Sequence, residues 1–121
     1  MSTALLNEVD HELRDIETMF QSLEQAVGMD MREELLALFY PTLDECLQGL
    51  QQAIPAQDAG QIISFAHKLK GAAGQLGATR IAQQSKDIEM QAKRSELSDI
   101  APAFDVLQTL CAAVKAKLLG V

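Results

Sequence analysis

The sequence of 121 residues has no tryptophan, only 4% aromatic residues, and fewer basic than acidic side chains, 10 against 17. Proteins that bind single-stranded nucleic acids stack bases on aromatic rings, and proteins that bind duplexes neutralise phosphates with lysine and arginine. The lack of aromatic residues and the formal net charge of −7 therefore argue against nucleic acid as a partner.

Cysteines and long apolar runs are also scarce. Cys46 and Cys111 lie far apart, each within an apolar helical pattern, and are predicted to be free buried thiols. The N-terminus lacks the basic start and apolar run of a signal peptide, and no segment approaches the roughly 18 apolar residues of a membrane-spanning helix. We therefore expect a cytoplasmic chain with no direct membrane contact, although the same sequence could be part of a larger membrane-bound protein.

Hydrophobic residues make up 48% of the chain, enough for one domain with a core over residues 1–121. No segment alternates with a period of two, so no strand is predicted. Apolar residues instead recur at spacings of three and four, which indicates amphipathic helices. The first helix carries the stripe Leu6, Val9, Leu13, Ile16, Phe20, Leu23 and Val27.

Turn and cap residues divide this pattern into helices. Gly28 ends the first helix, and Asp30 with Glu33 has the spacing of a capping box that opens the second. Pro41 falls inside the second helix, where we expect a kink rather than a break because the apolar stripe continues in phase. Pro55 ends that helix.

Two further helices follow. Asp58 with Gln61 repeats the capping-box spacing and opens the third helix, which Gly77 ends. The fourth helix is expected to be capped by Thr79 or a residue nearby, and the polar residues 93–96 are predicted to form a turn. The core faces of the two helices are predicted to be Ile62, Ile63, Ala66, Leu69, Ala73 and Leu76, and Ile81, Ser85, Ile88 and Ala92.

The last helix begins near Ser98 and tolerates Pro102 because the proline lies in its first turn. All connections are short, and short connections make neighbouring helices antiparallel. The predicted fold is therefore all-α: the last four helices form an antiparallel up-down-up-down four-helix bundle, and the additional N-terminal helix packs against it.

Residues 67–77, HKLKGAAGQLG, are the most informative segment. On a helical wheel His67, Gly71 and Gly74 point away from the core stripe, and Lys70 lies on the shoulder between. Glycine inside a helix costs about 0.5–1 kcal/mol relative to alanine. Glycines tolerated beside an exposed histidine suggest that another molecule approaches the imidazole, which is a nucleophile near neutral pH.

The pattern His67-x-Leu69-Lys70-Gly71, followed by Leu76-Gly77-Ala78, resembles the signature of histidine-containing phosphotransfer (HPt) domains of multistep phosphorelays. The resemblance implies that His67 is the phosphoacceptor, that Lys70 steers or stabilises the phosphoryl group, and that Gly71 gives a partner access. Glu89 stands where such domains often carry a Glu or Gln that hydrogen-bonds the imidazole and leaves Nε2 free to accept phosphate.

The resemblance also implies the partners. His67 exchanges a phosphoryl group with the aspartates of receiver domains, which bind the exposed face of the third helix around Lys68, Lys70, Gly71, Gly74 and Gln75. The domain needs no cofactor of its own, because the receiver supplies Mg²⁺, and no residues have metal-ligand spacing. We expect a monomeric phosphocarrier without autonomous catalysis, either free-standing or as the C-terminal domain of a hybrid sensor histidine kinase.

Simpler interpretations remain for several features. The bundle could be a helical adaptor that only binds signalling partners, and Glu89 could be a solvated charge. A sensor-kinase dimerisation domain also displays a histidine on a helical hairpin, but that family has an acidic residue after the histidine where this chain has Lys68. His11 is predicted to be a solvated histidine. The acidic residues of the first helix are predicted to form a solvated face: Glu8, Asp10, Glu12, Asp15 and Glu17.

Overall fold

The computed structural model describes residues 2–120, so Met1 and Val121, the ends of the predicted domain, lie outside the described residues. Within this range the chain forms five α-helices and one short 3₁₀ turn, and no strand. The helices are α1 (Thr3–Val27), α2 (Arg32–Ala53), α3 (Ala59–Leu76), α4 (Thr79–Lys93) and α5 (Ile100–Leu118), with the 3₁₀ turn at Leu97–Asp99. The all-α prediction is confirmed.

The helices α2 to α5 form the bundle. The two most extensive contacts join α3 to α4 and α2 to α3, and α5 packs against α4 and, over a smaller area, against α2. The additional helix α1 lies against α5, α4 and α3. This is the predicted up-down-up-down arrangement with an N-terminal helix packed on it.

The predicted stripes form the core, with differences at the ends of helices. In α1 the buried apolar residues are Val9, Ile16 and Phe20, whereas Leu6 and Val27 are exposed. Leu13 and Leu23 are half-buried, and at the N-terminal end Leu5 rather than Leu6 packs against the core. In α3 the predicted core face is buried except for Ile63, which is half-buried. All four predicted core residues of α4 are buried.

The start of α2 differs from the capping prediction. Helix α2 begins at Arg32, and Asp30 accepts a hydrogen bond from the Arg32 backbone N–H at 3.0 Å without capping the helix itself. The predicted capping box of Asp30 and Glu33 is therefore wrong, because the N-cap position is occupied by Met31, one residue after Asp30. Helix α2 then runs unbroken through Pro41 to Ala53.

Both ends of α3 lie at the predicted residues, but the predicted capping box is incomplete because the Asp58 N–H donates to the Ala53 carbonyl oxygen. Asp58 accepts a hydrogen bond from the Gln61 backbone N–H at 3.2 Å, and Gly77 ends the helix in the left-handed conformation with a φ of 85°. A Cβ at Gly77 would lie only 2.6 Å from Cβ of Met19, so α1 packs directly on this turn. Gly77 is therefore required both by the backbone conformation and by the approach of α1.

The first turn of α4 is capped by a residue of α1. Thr79 is the first helical residue rather than the cap, and Ala78 at the N-cap has no side chain that could accept a hydrogen bond. Glu12 supplies the acceptors instead: Oε1 accepts from the Arg80 N–H at 2.9 Å and Oε2 from the Ile81 N–H at 2.7 Å. A carboxylate from another helix thus satisfies the donors that a local cap usually satisfies.

This contact corrects the prediction that the acidic residues of α1 form a solvated face. Glu12 is fully buried, and burial raises the pKa of its carboxyl group despite the two backbone hydrogen bonds. Its neighbours also reach α4: Asp15 accepts a 2.6 Å hydrogen bond from the hydroxyl of Thr79, and Glu8 pairs with Arg80 at 2.9 Å. Of the predicted face, only Glu12 is buried, Asp10 is exposed, and the side chains of Glu8, Asp15 and Glu17 are about half exposed.

The C-terminal part of the bundle differs little from the prediction. Helix α4 includes Lys93, so the predicted turn begins one residue later, and the 3₁₀ turn Leu97–Asp99 precedes α5. By length and composition alone the segment Leu97–Leu118 could span a membrane, contrary to the expectation from its sequence. In the structure it contains the core helix α5, whose apolar face packs inside the bundle. Cys46 and Cys111 are free and buried, as predicted.

Candidate functional site

His67 lies in the middle of α3, and its side chain is 66% exposed. Its neighbours Ala66 and Leu69 are fully buried in the core. Successive residues of a helix point in different directions. With Ala66 and Leu69 directed into the core, His67 projects towards solvent. The exposure predicted from the helical wheel is confirmed.

The ring is held by a carboxylate from the neighbouring helix. Nδ1 of His67 lies 2.7 Å from Oε2 of Glu89, which is 22 residues further along the chain. The Glu89 side chain is only 3% exposed, so it is a buried group of the α3–α4 interface rather than a solvated charge. The antiparallel packing of the two helices brings this pair together.

Two lysines also contact Glu89. Nζ of Lys70 donates to Oε1 at 2.9 Å, and Nζ of Lys93 lies 3.5 Å from Oε2. Burial alone raises the pKa of Glu89, but the hydrogen bonds from Lys70 and His67 and the charges of Lys70 and Lys93 outweigh it. The pKa of Glu89 is therefore lowered, and the carboxylate is ionised at neutral pH.

An ionised Glu89 determines the proton position on the ring. A carboxylate can only accept hydrogen bonds, so the Nδ1–H of His67 must be the donor. In the neutral imidazole the other nitrogen, Nε2, then carries the lone pair. Within residues 2–120 the ring hydrogen-bonds only through Nδ1, so Nε2 of this exposed side chain has no hydrogen-bond partner there. The geometry is that of a nucleophilic nitrogen oriented from behind by a carboxylate.

Lys68 is not a free charge beside the imidazole. Its ammonium group donates to both carboxylate oxygens of Glu45 on α2, at 3.0 and 2.9 Å, and this hydrogen bonding raises the pKa of Lys68. Both side chains are half exposed, so the pair remains on the surface beside His67. The sequence analysis predicted a partner contact for Lys68, and in the structure its ammonium group is held in an ion pair with Glu45.

Gly71 and Gly74 leave an open backbone next to the ring. Both are exposed, neither has a positive φ, and a Cβ at either position would meet no atom within 4 Å. Neither packing nor backbone conformation within this chain therefore requires glycine at these two positions. This is the strongest structural support for the idea that another molecule approaches α3 here.

Beyond the glycines, the exposed Gln75 borders a small apolar cleft between α2 and α3. The cleft has a volume of about 120 Å³ and is lined by Leu35, Leu38, Phe39, Thr42, Ala72, Gln75 and Leu76. Leu38 is 73% exposed at its edge. The open glycines therefore connect the imidazole with an exposed apolar surface that the sequence analysis did not identify.

The remaining predicted groups lie elsewhere. His11 is an exposed residue of α1 whose Nδ1 contacts Arg14 at 3.1 Å. Within residues 2–120 no three histidine, cysteine or acidic side chains are grouped as metal ligands. Lys93 was missed because it was assigned to a turn, although its spacing of four from Glu89 would place it on the same side of a helix.

Charge is unevenly distributed around the site. The α3–α4 segment, residues 59–96, contains six of the 10 basic residues but only three of the 17 acidic ones. The rest of the chain is strongly acidic. His67 therefore lies on the most basic stretch of the sequence, in which Lys68 and Arg80 pair with carboxylates of α2 and α1. The excess of basic residues favours approach by a negatively charged group.

Comparisons with known proteins agree with this geometry. A family model described as the Hpt domain matches residues 34–117. The fold is similar to the crystal structure of histidine-containing phosphotransfer protein B from Pseudomonas aeruginosa PAO1, with a TM-score of 0.74 and 24% sequence identity over 85% of this chain and 89% of that chain. A search of curated proteins found no match. Helix α1 lies outside the residues that the family model matches.

Proposed function

The chain belongs to the Hpt domain family, which gives it a phosphotransfer role in a phosphorelay, and from this premise we propose that His67 carries the phosphoryl group on Nε2. The observation that carries the proposal is the 2.7 Å contact between Nδ1 of His67 and the buried Glu89. It leaves Nε2 unprotonated in the neutral ring and exposed to a partner.

In the proposed reaction the Nε2 lone pair attacks the phosphorus of a phospho-aspartate on a receiver domain. The N–P bond forms as the acyl phosphate P–O bond breaks, and the aspartate carboxylate leaves. The reverse reaction delivers the group to the aspartate of a second receiver. Such transfers depend mainly on in-line positioning and charge neutralisation. The receiver supplies Mg²⁺, and this chain acts as a carrier.

Glu89 supports both directions of the transfer. Forming the N–P bond withdraws electrons from the ring and leaves positive charge on it while Nδ1 keeps its proton. The ionised carboxylate stabilises that charge through the hydrogen bond to Nδ1–H. Lys70, bonded to Oε1, keeps Glu89 ionised and in place. In this arrangement Lys70 stabilises the phosphoryl group in two ways, by holding Glu89 against the ring and by its own positive charge.

The surface supports a receiver as the partner. Gly71, Gly74 and Gln75 allow close approach along α3, and the ion pair of Lys68 and Glu45 borders the ring on the α2 side. The basic α3–α4 segment attracts the acidic phosphorylation site of a receiver. A monomer in the cytoplasm, free or as a domain of a hybrid sensor kinase, is consistent with this arrangement.

The test is phosphotransfer from radiolabelled phospho-receivers to the wild type, His67→Gln and His11→Gln. The histidine variants are matched, because both residues are exposed on helices and lie outside the core. We expect acid-labile, alkali-stable label on the wild type and on His11→Gln, and none on His67→Gln, with equal helicity by circular dichroism.

A different result would favour the alternative function, a helical adaptor that binds signalling partners without carrying phosphate. That function predicts that no receiver labels the folded wild type and that His67→Gln leaves partner binding and signalling unchanged. Label that persists in His67→Gln would place the phosphoryl group on another residue and contradict the proposal.

A further inference from the structure

Two ammonium groups share one buried carboxylate beside His67, and they differ in how firmly they are held. Nζ of Lys70 makes a 2.9 Å hydrogen bond to Oε1 of Glu89, and its side chain is 33% exposed. Nζ of Lys93 lies 3.5 Å from Oε2 and is 50% exposed. At 3.5 Å the second contact is an ion pair too long for a good hydrogen bond.

The oxygen that Lys93 approaches is already occupied. Oε2 of Glu89 accepts the 2.7 Å hydrogen bond from Nδ1 of His67, so the Lys93 ammonium shares this oxygen with the ring. Glu89 therefore does not need Lys93 to satisfy either of its oxygens. The ammonium of Lys93 is free to leave without uncovering a buried charge.

The two lysines lie on opposite sides of the imidazole along the hairpin. Lys70 is one turn after His67 on α3, and Lys93 is one turn after Glu89 on α4. Because α3 and α4 are antiparallel, these turns extend in opposite directions from the His67–Glu89 pair. The two side chains therefore reach the Glu89 carboxylate, and the ring bonded to it, from opposite directions.

Charge balance indicates what the second ammonium can do. Lys70 and Lys93 bring two positive charges to the single negative charge of Glu89, so the resting site has one cation in excess. A phosphoryl group adds about 1.5 to 2 negative charges at neutral pH and three acceptor oxygens. It is a better acceptor for a loosely held ammonium than an oxygen shared with the ring.

We propose that Lys93 is a phosphoryl-binding residue, whose ammonium moves from Glu89 to the phosphoryl oxygens on Nε2 of His67 while Lys70 stays bound to Glu89. This division of roles rests on the proposed function of His67. It differs from the expectation in the sequence analysis, where Lys70 alone was given the contact with the phosphoryl group.

The test uses phosphoramidate, a small phosphodonor that needs no receiver. The Nε2 lone pair attacks phosphorus, the N–P bond to the ring forms, and the P–N bond of the donor breaks with ammonia as the leaving group. Phosphorylation is followed by the phosphohistidine signal in ³¹P NMR. The variants are Lys93→Met, Lys93→Arg and, as the matched control, Lys86→Met, an exposed lysine two turns earlier on α4.

We expect Lys93→Met to lower the initial phosphorylation rate about tenfold or more, as for loss of a charged hydrogen bond. Lys93→Arg should recover most of that loss, and Lys86→Met should match the wild type. The ring ¹⁵N signals of unphosphorylated His67 should report the same tautomer in Lys93→Met and wild type, with the proton on Nδ1, and the side-chain NMR signals of Lys93 should shift on phosphorylation.

Two outcomes would overturn the assignment. If Lys93→Met reacts at the rate of Lys86→Met, Lys93 does not bind the phosphoryl group. If the ring signals of Lys93→Met show a different tautomer, the lysine acts on the imidazole through Glu89 instead. Failure of the proposed function looks different: wild type labelled by phosphoramidate that passes nothing to any receiver would contradict that function while leaving the Lys93 result intact.

Discussion

Glu12 and Ile81 are joined by a 2.7 Å hydrogen bond across 69 residues of sequence, and this bond ties α1 to the first turn of α4. Helix α4 carries Glu89 two turns further on, and α3 carries His67 on the other side of the Gly77 turn that α1 covers. The helix that lies outside the family match thus holds the end of the hairpin on which the site is built.

Replacing Glu12 tests this attachment. Glu12→Ala removes the acceptors of the partly buried Arg80 N–H and the buried Ile81 N–H, and with them the cap of α4. We expect the free energy of unfolding to fall by about 1–3 kcal/mol, measured by urea denaturation. Asp10→Ala, an exposed acidic residue of the same helix, is the control and should change little. Equal effects of the two substitutions would contradict the capping role.

The lowered pKa of Glu89 predicts how stability depends on pH. A carboxyl group whose pKa is lower in the folded than in the unfolded state stabilises the fold above its unfolded pKa, and this contribution is lost as pH falls through the folded value. We expect the difference in unfolding free energy between wild type and Glu89→Gln to be constant near neutral pH and to shrink below about pH 4.5.

Urea denaturation of both proteins from about pH 3 to pH 8 provides the measurement. Glu12 provides an internal contrast, because its pKa is raised and its protonation therefore stabilises the folded state instead of destabilising it. The difference between wild type and Glu12→Gln should therefore increase as pH falls. Parallel curves for wild type and Glu89→Gln down to pH 3 would show that Glu89 is not held by Lys70 and His67.

Much of the fold follows from local sequence patterns. The spacing of apolar residues predicts all five helices, and the caps at Asp58 and Gly77 follow from the residues themselves, because each depends on atoms within a few positions. The exposure of His67 follows in the same way from the buried Ala66 and Leu69. These features are set within one helix and need no knowledge of its neighbours.

The features that the sequence analysis missed depend on tertiary contacts. From the sequence alone Glu12 is one of several acidic residues on α1, and its role depends on the packing of α4 against it. No local pattern shows that the N-cap of α4 is Ala78, which has no side-chain acceptor. Lys93 is an exception, because its contact with Glu89 is local to α4, and it was missed because the predicted turn began one residue too early. The Glu45 carboxylate that binds Lys68 belongs to another helix. Side chains that meet across 20 or more residues require the packed bundle.

The two buried cysteines are predicted to be unreactive in the folded protein. Burial raises the pKa of Cys46 to about 11 and that of Cys111 to about 12, so very little thiolate forms near neutral pH. Because the thiolate is the reactive form, alkylation by iodoacetamide should be slow in buffer and should label both residues after denaturation. Rapid labelling of either cysteine in native protein, read by mass spectrometry, would contradict its burial.

Gly71 and Gly77 provide a matched test of partner access, because one glycine is open and the other is enclosed. At Gly71 an added Cβ meets no neighbouring atom within 4 Å and the position is exposed, so we expect Gly71→Leu to fold normally and gain up to about 1 kcal/mol of helix stability. The same leucine would stand on the open backbone beside His67. We therefore expect receiver-dependent labelling to be lost while phosphorylation by phosphoramidate, a far smaller donor, continues.

At Gly77 the expectation is reversed. Gly77→Ala places a Cβ against Met19 and forces a positive φ on alanine, which alone costs about 1–2 kcal/mol. It should lower stability, measured by urea denaturation, yet leave the surface beside His67 open to a receiver under conditions where the variant remains folded.

Normal receiver-dependent transfer in Gly71→Leu would show that the bare backbone is not the access route. Loss of both receiver and phosphoramidate labelling in that variant would instead mean that the leucine blocks Nε2 itself.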